Sequence, residues 1–207
     1  MDILLKYFPE LNGVKLDQYK SLADLTMSWN QKINLVSRKD IGHLPERHIL
    51  HSLGIAIHAP ITSHTRVLDV GTGGGFPGLP LAIMFPDTRF TLIDSIGKKV
   101  NVVKSIAADI GLKNVSCLQI RAEDYKDAAD MVVSRAVTRL DRFTAWVAQN
   151  LARTTLKGSG IWYLKGGDLE EEVKSFRGTK IFDLRDVFSE SFFETKKLVW
   201  LSSQYLK

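Results

Sequence analysis

The sequence predicts a doubly wound α/β domain over residues 61–207, with a mostly parallel seven-stranded sheet and an N-terminal helical extension over residues 1–60. Three observations carry this reading. Short apolar runs alternate with helical stretches from Arg66 onward, and strands that alternate with helices build a parallel sheet covered on both faces. A glycine-rich turn follows the first of these runs. Residues 15–60, by contrast, show only helical periodicity.

In the extension, Leu22, Leu25, Trp29, Ile33 and Val36 recur at spacings of three and four, which gives one apolar stripe. A second helix is expected over His48 to Ala59, with Ile49, Leu50, Leu53 and Ile57 facing inward. Val67-Leu68-Asp69-Val70 opens the sheet. A helix is expected over Pro80 to Phe85, ended by Pro86-Asp87. Phe90 to Ile93 is the second strand. Lys98 to Ile110 reads as a helix closed by Gly111. Val115 to Gln119, Met131 to Val133 and Ile161 to Leu164 are further strands, with a helix face at Leu140, Phe143, Val147 and Leu151 before the last of them. Lys180 to Leu184 and Leu198 to Leu201 have no convincing helix between them, so an antiparallel pair at the sheet edge is expected. No flexible linker separates extension and domain, and the two should pack as one unit.

Composition narrows the function classes. Hydrophobic residues make up 44% and charged residues 25% of 207, the balance of a folded globular chain. No apolar run approaches the ~20 residues that span a bilayer, and the N-terminus lacks the basic start and cleavage site of a signal peptide. A membrane partner is therefore not expected. Cys117 is the only cysteine, which excludes an internal disulfide and fits a reducing compartment, the cytoplasm. In its apolar run it reads as a small buried hydrophobe. The net charge of +5 permits a phosphate-rich partner without establishing one.

The chemistry concentrates in Gly71-Thr72-Gly73-Gly74-Gly75-Phe76-Pro77-Gly78, which follows a strand and opens a helix. Glycines in that position let the backbone turn sharply and let a ligand come close. Asp94 ends the next strand, 19 positions after Gly75, where a carboxylate accepts hydrogen bonds from ribose hydroxyls. Two ligands suit this arrangement, a dinucleotide and S-adenosyl-L-methionine. Asp69 separates them, because a carboxylate two residues before the loop repels a pyrophosphate and suits the ammonium of a methionine moiety, directly or through water.

At this point the chain closely resembles the RsmG family, also called glucose-inhibited division protein B. The resemblance covers nearly the whole chain. It rests on Trp29-Asn30 with Asn34-Leu35, on Arg47-His48-Ile49-Leu50, and on Leu68-Asp69-Val70-Gly71-Thr72-Gly73 continuing into Gly75-Phe76-Pro77-Gly78. It extends through Asp94-Ser95, Lys98-Lys99, Val133-Ser134-Arg135-Ala136 and Leu164-Lys165-Gly166. The resemblance implies a Rossmann-like class I methyltransferase fold and methylation of N7 of a guanosine in 16S (small-subunit) ribosomal RNA, with S-adenosyl-L-methionine as cofactor. It implies cofactor contacts at Gly71, Phe76, Ala122, Glu123 and Arg135, beside the ribose role of Asp94. Two positions depart from the family: His51 stands where Asp is usual, and Lys196 or Lys197 replaces an Arg.

Substrate residues follow from position. Ligands of open α/β sheets bind beyond the carboxyl ends of the strands. Lys98 and Lys99 follow the second strand, Arg121 the third, Arg135 and Arg139 the fourth, and Lys165 the fifth. Such a cluster suits phosphates, so Lys98, Arg121, Arg135 and Lys165 are candidate RNA contacts, with His48 on the substrate side. His48 and His51 could share a helix face, but no third ligand has metal-site spacing, and no metal is expected. Trp29 reads as core. No catalytic acid or base is assigned, since guanine N7 carries a free lone pair and no proton. The expected partner is ribosomal RNA or the small ribosomal subunit, met by a monomer. A nicotinamide-dependent oxidoreductase and a non-catalytic RNA-binding module are the alternative classes.

Overall fold

The computed structural model describes residues 1–152, 154 and 156–206. Seven strands form one sheet of order β3-β2-β1-β4-β5-β7-β6. They are β1 (Arg66–Val70), β2 (Arg89–Asp94), β3 (Val115–Gln119), β4 (Met131–Arg135), β5 (Gly160–Gly166), β6 (Lys180–Asp183) and β7 (Lys196–Ser202). The pairs from β3 to β5 are parallel. β7 runs antiparallel between β5 and β6, so the two last segments pair as expected, with β6 at the edge. In β1 and β4 four residues of five are buried. Central parallel strands covered on both faces become continuous apolar runs, which is why they were readable in the sequence.

Alternation along the strands divides the interior into two cores. Val67, Met131, Val133, Trp162 and Leu164 point to one face and join one cluster. Leu68, Val132, Ile161 and Tyr163 point to the other and join the second, with Leu140, Phe143 and Val147 of α6 (Leu140–Val147). The first face is closed by α4 (Gly78–Met84), α5 (Gly97–Asp109) and the N-terminal helices α1 (Asp2–Tyr7), α2 (Gly13–Asn30) and α3 (His51–His58). Leu4, Tyr19, Leu22, Leu44 and Ile49 of the extension belong to the same cluster as Val67 and Leu92 of the sheet. Tyr19 is fully buried, and its hydroxyl donates to the Pro80 carbonyl at 2.9 Å. A short helix, α7 (Glu170–Val173), follows β5.

Three local features differ from the periodicity. α2 stops at Asn30, whose Oδ1 accepts from the Leu35 and Val36 amides at 2.8 and 3.0 Å. The side chain thereby replaces the next helical turn with a loop. Pro45–Leu50 is a π-helical turn before α3. Ile57 is 40% exposed and not inward, because α3 is enclosed on all sides over 51–55 and its last inward positions fall to Ile55 and Ala59.

Tyr19 is a fully buried polar tie between the N-terminal helices and the sheet layer. Tyr19→Phe is expected to lower stability by about 1 kcal/mol, one net hydrogen bond, and Tyr19→Ala by about 3–5 kcal/mol through the cavity it leaves. Urea midpoints followed by far-ultraviolet circular dichroism check both values.

Candidate functional site

A cavity of about 920 Å³ opens at the carboxyl ends of β1, β2, β4 and β5. One side is the glycine loop. Gly71, Gly73 and Gly75 have φ of +69°, +58° and +93°, which side chains disfavour. A Cβ on Gly73 would meet nothing nearer than the Gly71 carbonyl at 3.9 Å, so this residue faces open space. Gly78 instead closes the loop onto the sheet: a Cβ there would lie 2.6 Å from Asp69 Oδ2 and 2.7 Å from Leu92 Cγ.

Asp69 lies beneath the loop and is fully buried. Its Oδ2 accepts from Thr72 Oγ1 at 2.6 Å and from the Gly78 amide at 2.8 Å. Burial pushes its carboxyl up to about 7, against those two hydrogen bonds. The cavity lining does not include Asp69. The carboxylate supports the loop from below through Oδ2, and its Oδ1 is buried without a hydrogen-bond partner among the described residues. Asp94 does face the cavity. Its Oδ2 accepts from the Gly73 amide at 2.9 Å and its Oδ1 from the Ile96 amide at 2.9 Å, which leaves each oxygen a further lone pair.

Arg135 ends β4 and reaches the middle of the cavity. Its Nη1 donates to the Arg47 carbonyl at 3.2 Å, and its Nη2 to His48 Nδ1 at 2.8 Å. His48 is therefore neutral, with its proton on Nε2, a buried nitrogen without a partner. Burial and the Arg135 charge hold the His48 imidazolium down to about 3. Burial lowers Arg135 itself to about 10, which leaves it charged at neutral pH. Both groups flank Phe76, the His48 ring at 5.3 Å and the Arg135 guanidinium at 5.4 Å from its centroid. After Arg135, Ala136 takes φ +51°, a conformation rare outside glycine and enriched at functional sites.

The structure brings most of the sequence-derived site residues together. Gly71, Phe76, Asp94, Ala122, Glu123 and Arg135 all line the cavity, as do His48, Arg121 and Lys165. Lys98 does not; it points outward from the first turn of α5, and its neighbour Lys99 lines the cavity instead. Successive helical residues project about 100° apart, so only one of the pair can face the mouth. Lys165 is on the wall but already engaged, donating to the Thr138 carbonyl at 3.1 Å and forming an ion pair with Glu172 of α7. That pairing was invisible without α7. His51 also lines the cavity, largely buried against Phe192 and Phe193, and burial keeps it neutral. Cys117 is partly buried in β3, and burial pushes its thiol up to about 11. Among the described residues no cluster of His, Cys, Asp and Glu could hold a metal ion.

Residues that the sequence did not assign complete the walls. Asp40, Arg47 and Phe192 form one side, with the Asp40–Arg47 ion pair at 2.8 Å and the Arg47 guanidinium 5.6 Å from the Phe192 centroid. Arg142 and Trp146, 5.3 Å apart as a cation–π pair, form the other, near Ala122 and Glu123. Their one signal in the sequence was Arg47, a charge inside an apolar helical run.

The family model described as rRNA small subunit methyltransferase G matches residues 15–199. Ribosomal RNA small subunit methyltransferase G of Flavobacterium johnsoniae is 50% identical over 99% of this chain and 99% of its own length. The protein of the same name from Cytophaga hutchinsonii is 51% identical over 96% and 98%. Among solved structures, a SAM-dependent methyltransferase from Aquifex aeolicus superposes with a TM-score of 0.56 over 80% of this chain and 98% of that one, at 16% identity. A fibrillarin/Nop5p complex gives 0.57 over 77% and 82%, at 14% identity. Those likenesses concern the fold, which is the Rossmann-like class I methyltransferase fold. Half of all positions are shared with relatives over nearly the full chain, glycine loop and Arg135 included in the matched span, and the chain belongs to the GidB family, rRNA small subunit methyltransferase G.

Proposed function

We propose that this chain is an S-adenosyl-L-methionine-dependent methyltransferase that modifies N7 of a guanosine in 16S ribosomal RNA. The observation that carries the reading is the gathering of the glycine loop, Asp94, Ala122, Glu123 and Arg135 around one cavity. The cofactor fits what is there. At Gly73 the loop leaves open space that a side chain would fill, and Asp94 keeps lone pairs for ribose hydroxyls. Gly71 and Phe76 would hold the methionine end, Asp94 the ribose, and Ala122 with Glu123 the base. When bound, S-adenosylmethionine supplies an electrophilic methyl group on a sulfonium.

The remaining work is positioning. N7 needs no base to deprotonate it, and the site offers none there: His48 Nδ1 is occupied by Arg135. A cation against N7 would oppose the positive charge that develops on it. Arg135 is held away from such a role by its bonds to the Arg47 carbonyl and His48. Arg121 is exposed at the rim, and Lys99 lies on the wall. They suit RNA phosphates better than Lys165, whose charge Glu172 neutralises. The substrate is ribosomal RNA, free or in the small subunit, which implies a cytoplasmic enzyme. We read it as a monomer.

The direct test is transfer of labelled methyl to small ribosomal subunits from cells lacking the enzyme, with 7-methylguanosine identified by mass spectrometry; no incorporation refutes the reading. S-adenosylhomocysteine at a hundredfold excess over its dissociation constant should stabilise the protein by roughly 2.7 kcal/mol, and NAD should not. Gly73→Val should abolish that stabilisation in calorimetry while the fold survives.

Arg121→Ala should weaken RNA binding and flatten its salt slope by about 0.7–0.9, the value of one lost phosphate contact. Lys98→Ala should flatten it less, because Lys98 stands off the cavity. Salt titrations of RNA affinity measure both.

Asp69 makes a further prediction, in the pH dependence of stability. With its carboxyl raised to about 7, its contribution to stability falls as pH rises from about 4 to about 7. His48, lowered to about 3, contributes stability that is present above the ordinary histidine range and lost as pH falls through that window. The two trends oppose each other. Asp69→Asn removes the first, so stability should rise more steeply with pH between about 4 and 7 than in the parent. Urea midpoints across that range decide it.

A further inference from the structure

Beyond the glycine loop the cavity has a second wall, a lobe lined mainly by residues that precede the sheet. Asp40, Arg47 and His48 line it, with Leu35, Val36 and Phe192 as its apolar walls. Arg47 and His48 come from the π-helical turn Pro45–Leu50, and such turns are frequent at functional sites because they redirect side chains. The lobe adjoins the cofactor side directly. Arg135 touches Phe76 on one hand and the Arg47 carbonyl on the other.

The polar groups of this lobe form a specific pattern. Asp40 Oδ1 accepts from Arg47 Nη1 at 2.8 Å, and Asp40 Oδ2 accepts from Ser37 Oγ at 3.0 Å. The carboxylate is about one-third exposed and so retains acceptor capacity toward the lobe. The Arg47 guanidinium beside it holds its carboxyl below the usual carboxylate range, so it remains charged. Arg47 lines the cavity with its side chain about one-third exposed, and its guanidinium has more N–H groups than the one that Asp40 takes. A donor therefore stands next to an anionic acceptor.

We infer that Asp40 and Arg47 read the Watson–Crick edge of the guanine to be methylated, Arg47 donating to O6 and Asp40 accepting from N1–H and the N2 amine. This rests on the function proposed above. Guanine presents acceptor, donor, donor along that edge, which the pair complements. Adenine presents a donor and an acceptor in the first two places and mismatches both. N1–H and the N2 amine lie across the ring from N7, and a donor that meets O6 from the N1 side leaves the N7 lone pair free to face the methyl group. Methylation puts positive charge on the base and makes N1–H a stronger donor. The bond to Asp40 thus tightens as the reaction proceeds, which favours the transition state over the ground state. Asp40 and Arg47 are then specificity-determining residues that touch substrate.

The test uses small-subunit RNA assembled with ribosomal proteins, carrying guanosine or inosine at the target position. Inosine keeps O6, N1–H and N7 and lacks only the N2 amine. The parent should favour guanosine over inosine in kcat/KM by roughly 10- to 100-fold, the value of one hydrogen bond to a charged group. In Asp40→Asn activity should fall and that ratio should shrink to within about threefold, with calorimetric affinity for S-adenosylhomocysteine unchanged. If Asp40 only props Arg47, the variant loses guanosine and inosine activity equally and keeps the parental ratio, and the inference is wrong. A parent with no preference for guanosine overturns it too. A parent that methylates neither particle defeats the proposed function itself, a result the ratio measurements cannot mimic.

Discussion

The site depends on one buried carboxylate. Asp69 belongs to β1, yet its Oδ2 holds Thr72 at the start of the glycine loop and Gly78 at its end. Strand, loop and α4 are thereby joined at a single oxygen atom. The contact is possible only because Gly78 has no side chain, since a Cβ there would collide with that oxygen. Burying a carboxyl is costly, and here the cost is set against keeping a loop with positive-φ glycines in one conformation. On the cavity side the loop presents its backbone, with the Gly73 amide fixed by Asp94. Two carboxylates therefore fix the loop, one from below and one from the side.

The other half of the cavity is assembled from both ends of the chain. Asp40, Arg47 and His48 precede the sheet in sequence; Phe192 comes from its last connection and Lys196 from the start of β7. Arg135, from the middle of the sheet, links the halves through hydrogen bonds to Arg47 and His48. The proposed division of labour follows from this construction. The parallel sheet supplies a general nucleotide cradle, as many folds of this type do, and the added segments supply what distinguishes one substrate base from another. Of the four cations read as RNA contacts, Lys165 is paired within the protein.

Much of this was legible in the sequence, for physical reasons. Central parallel strands such as Val67 to Val70, Asp69 apart, and Met131 to Val133 carry apolar residues on both faces, and the glycine loop sits at the junction the strand–helix pattern marks. Arg121, Arg135 and Asp94 were located because strand ends determine where side chains converge. What escaped had no periodic signature. The Asn30 side chain ends α2 by bonding two amides five and six residues on, a long-range local choice that an apolar stripe through Ile33 and Val36 conceals. The π-helical turn shifts Arg47 and His48 onto the cavity without altering the apolar pattern. Lys98 and Lys99 differ only in helical rotation, which adjacency in sequence cannot resolve. Asp69 also supports the loop from below, a role that its place in a strand did not reveal.

The two ends of the cavity wall are buckled to each other. Lys6 donates to Ser189 and Glu190 at 2.6 and 2.8 Å; Tyr7 donates to Glu190 and receives the Ser189 amide, each at 2.8 Å. Tyr7 also packs edge-on against Phe188, 4.9 Å between centroids. These contacts tie α1 to the segment that carries Phe192, and α1 packs against the π-helical turn that carries Arg47. The wall is thus a closed strap and not two independent flaps. Any breathing that widens the substrate lobe must carry both segments together or break the buckle. Polar contacts made outside the cavity, by Lys6 and Tyr7 to Glu190, thus bear on where Phe192 stands in its wall.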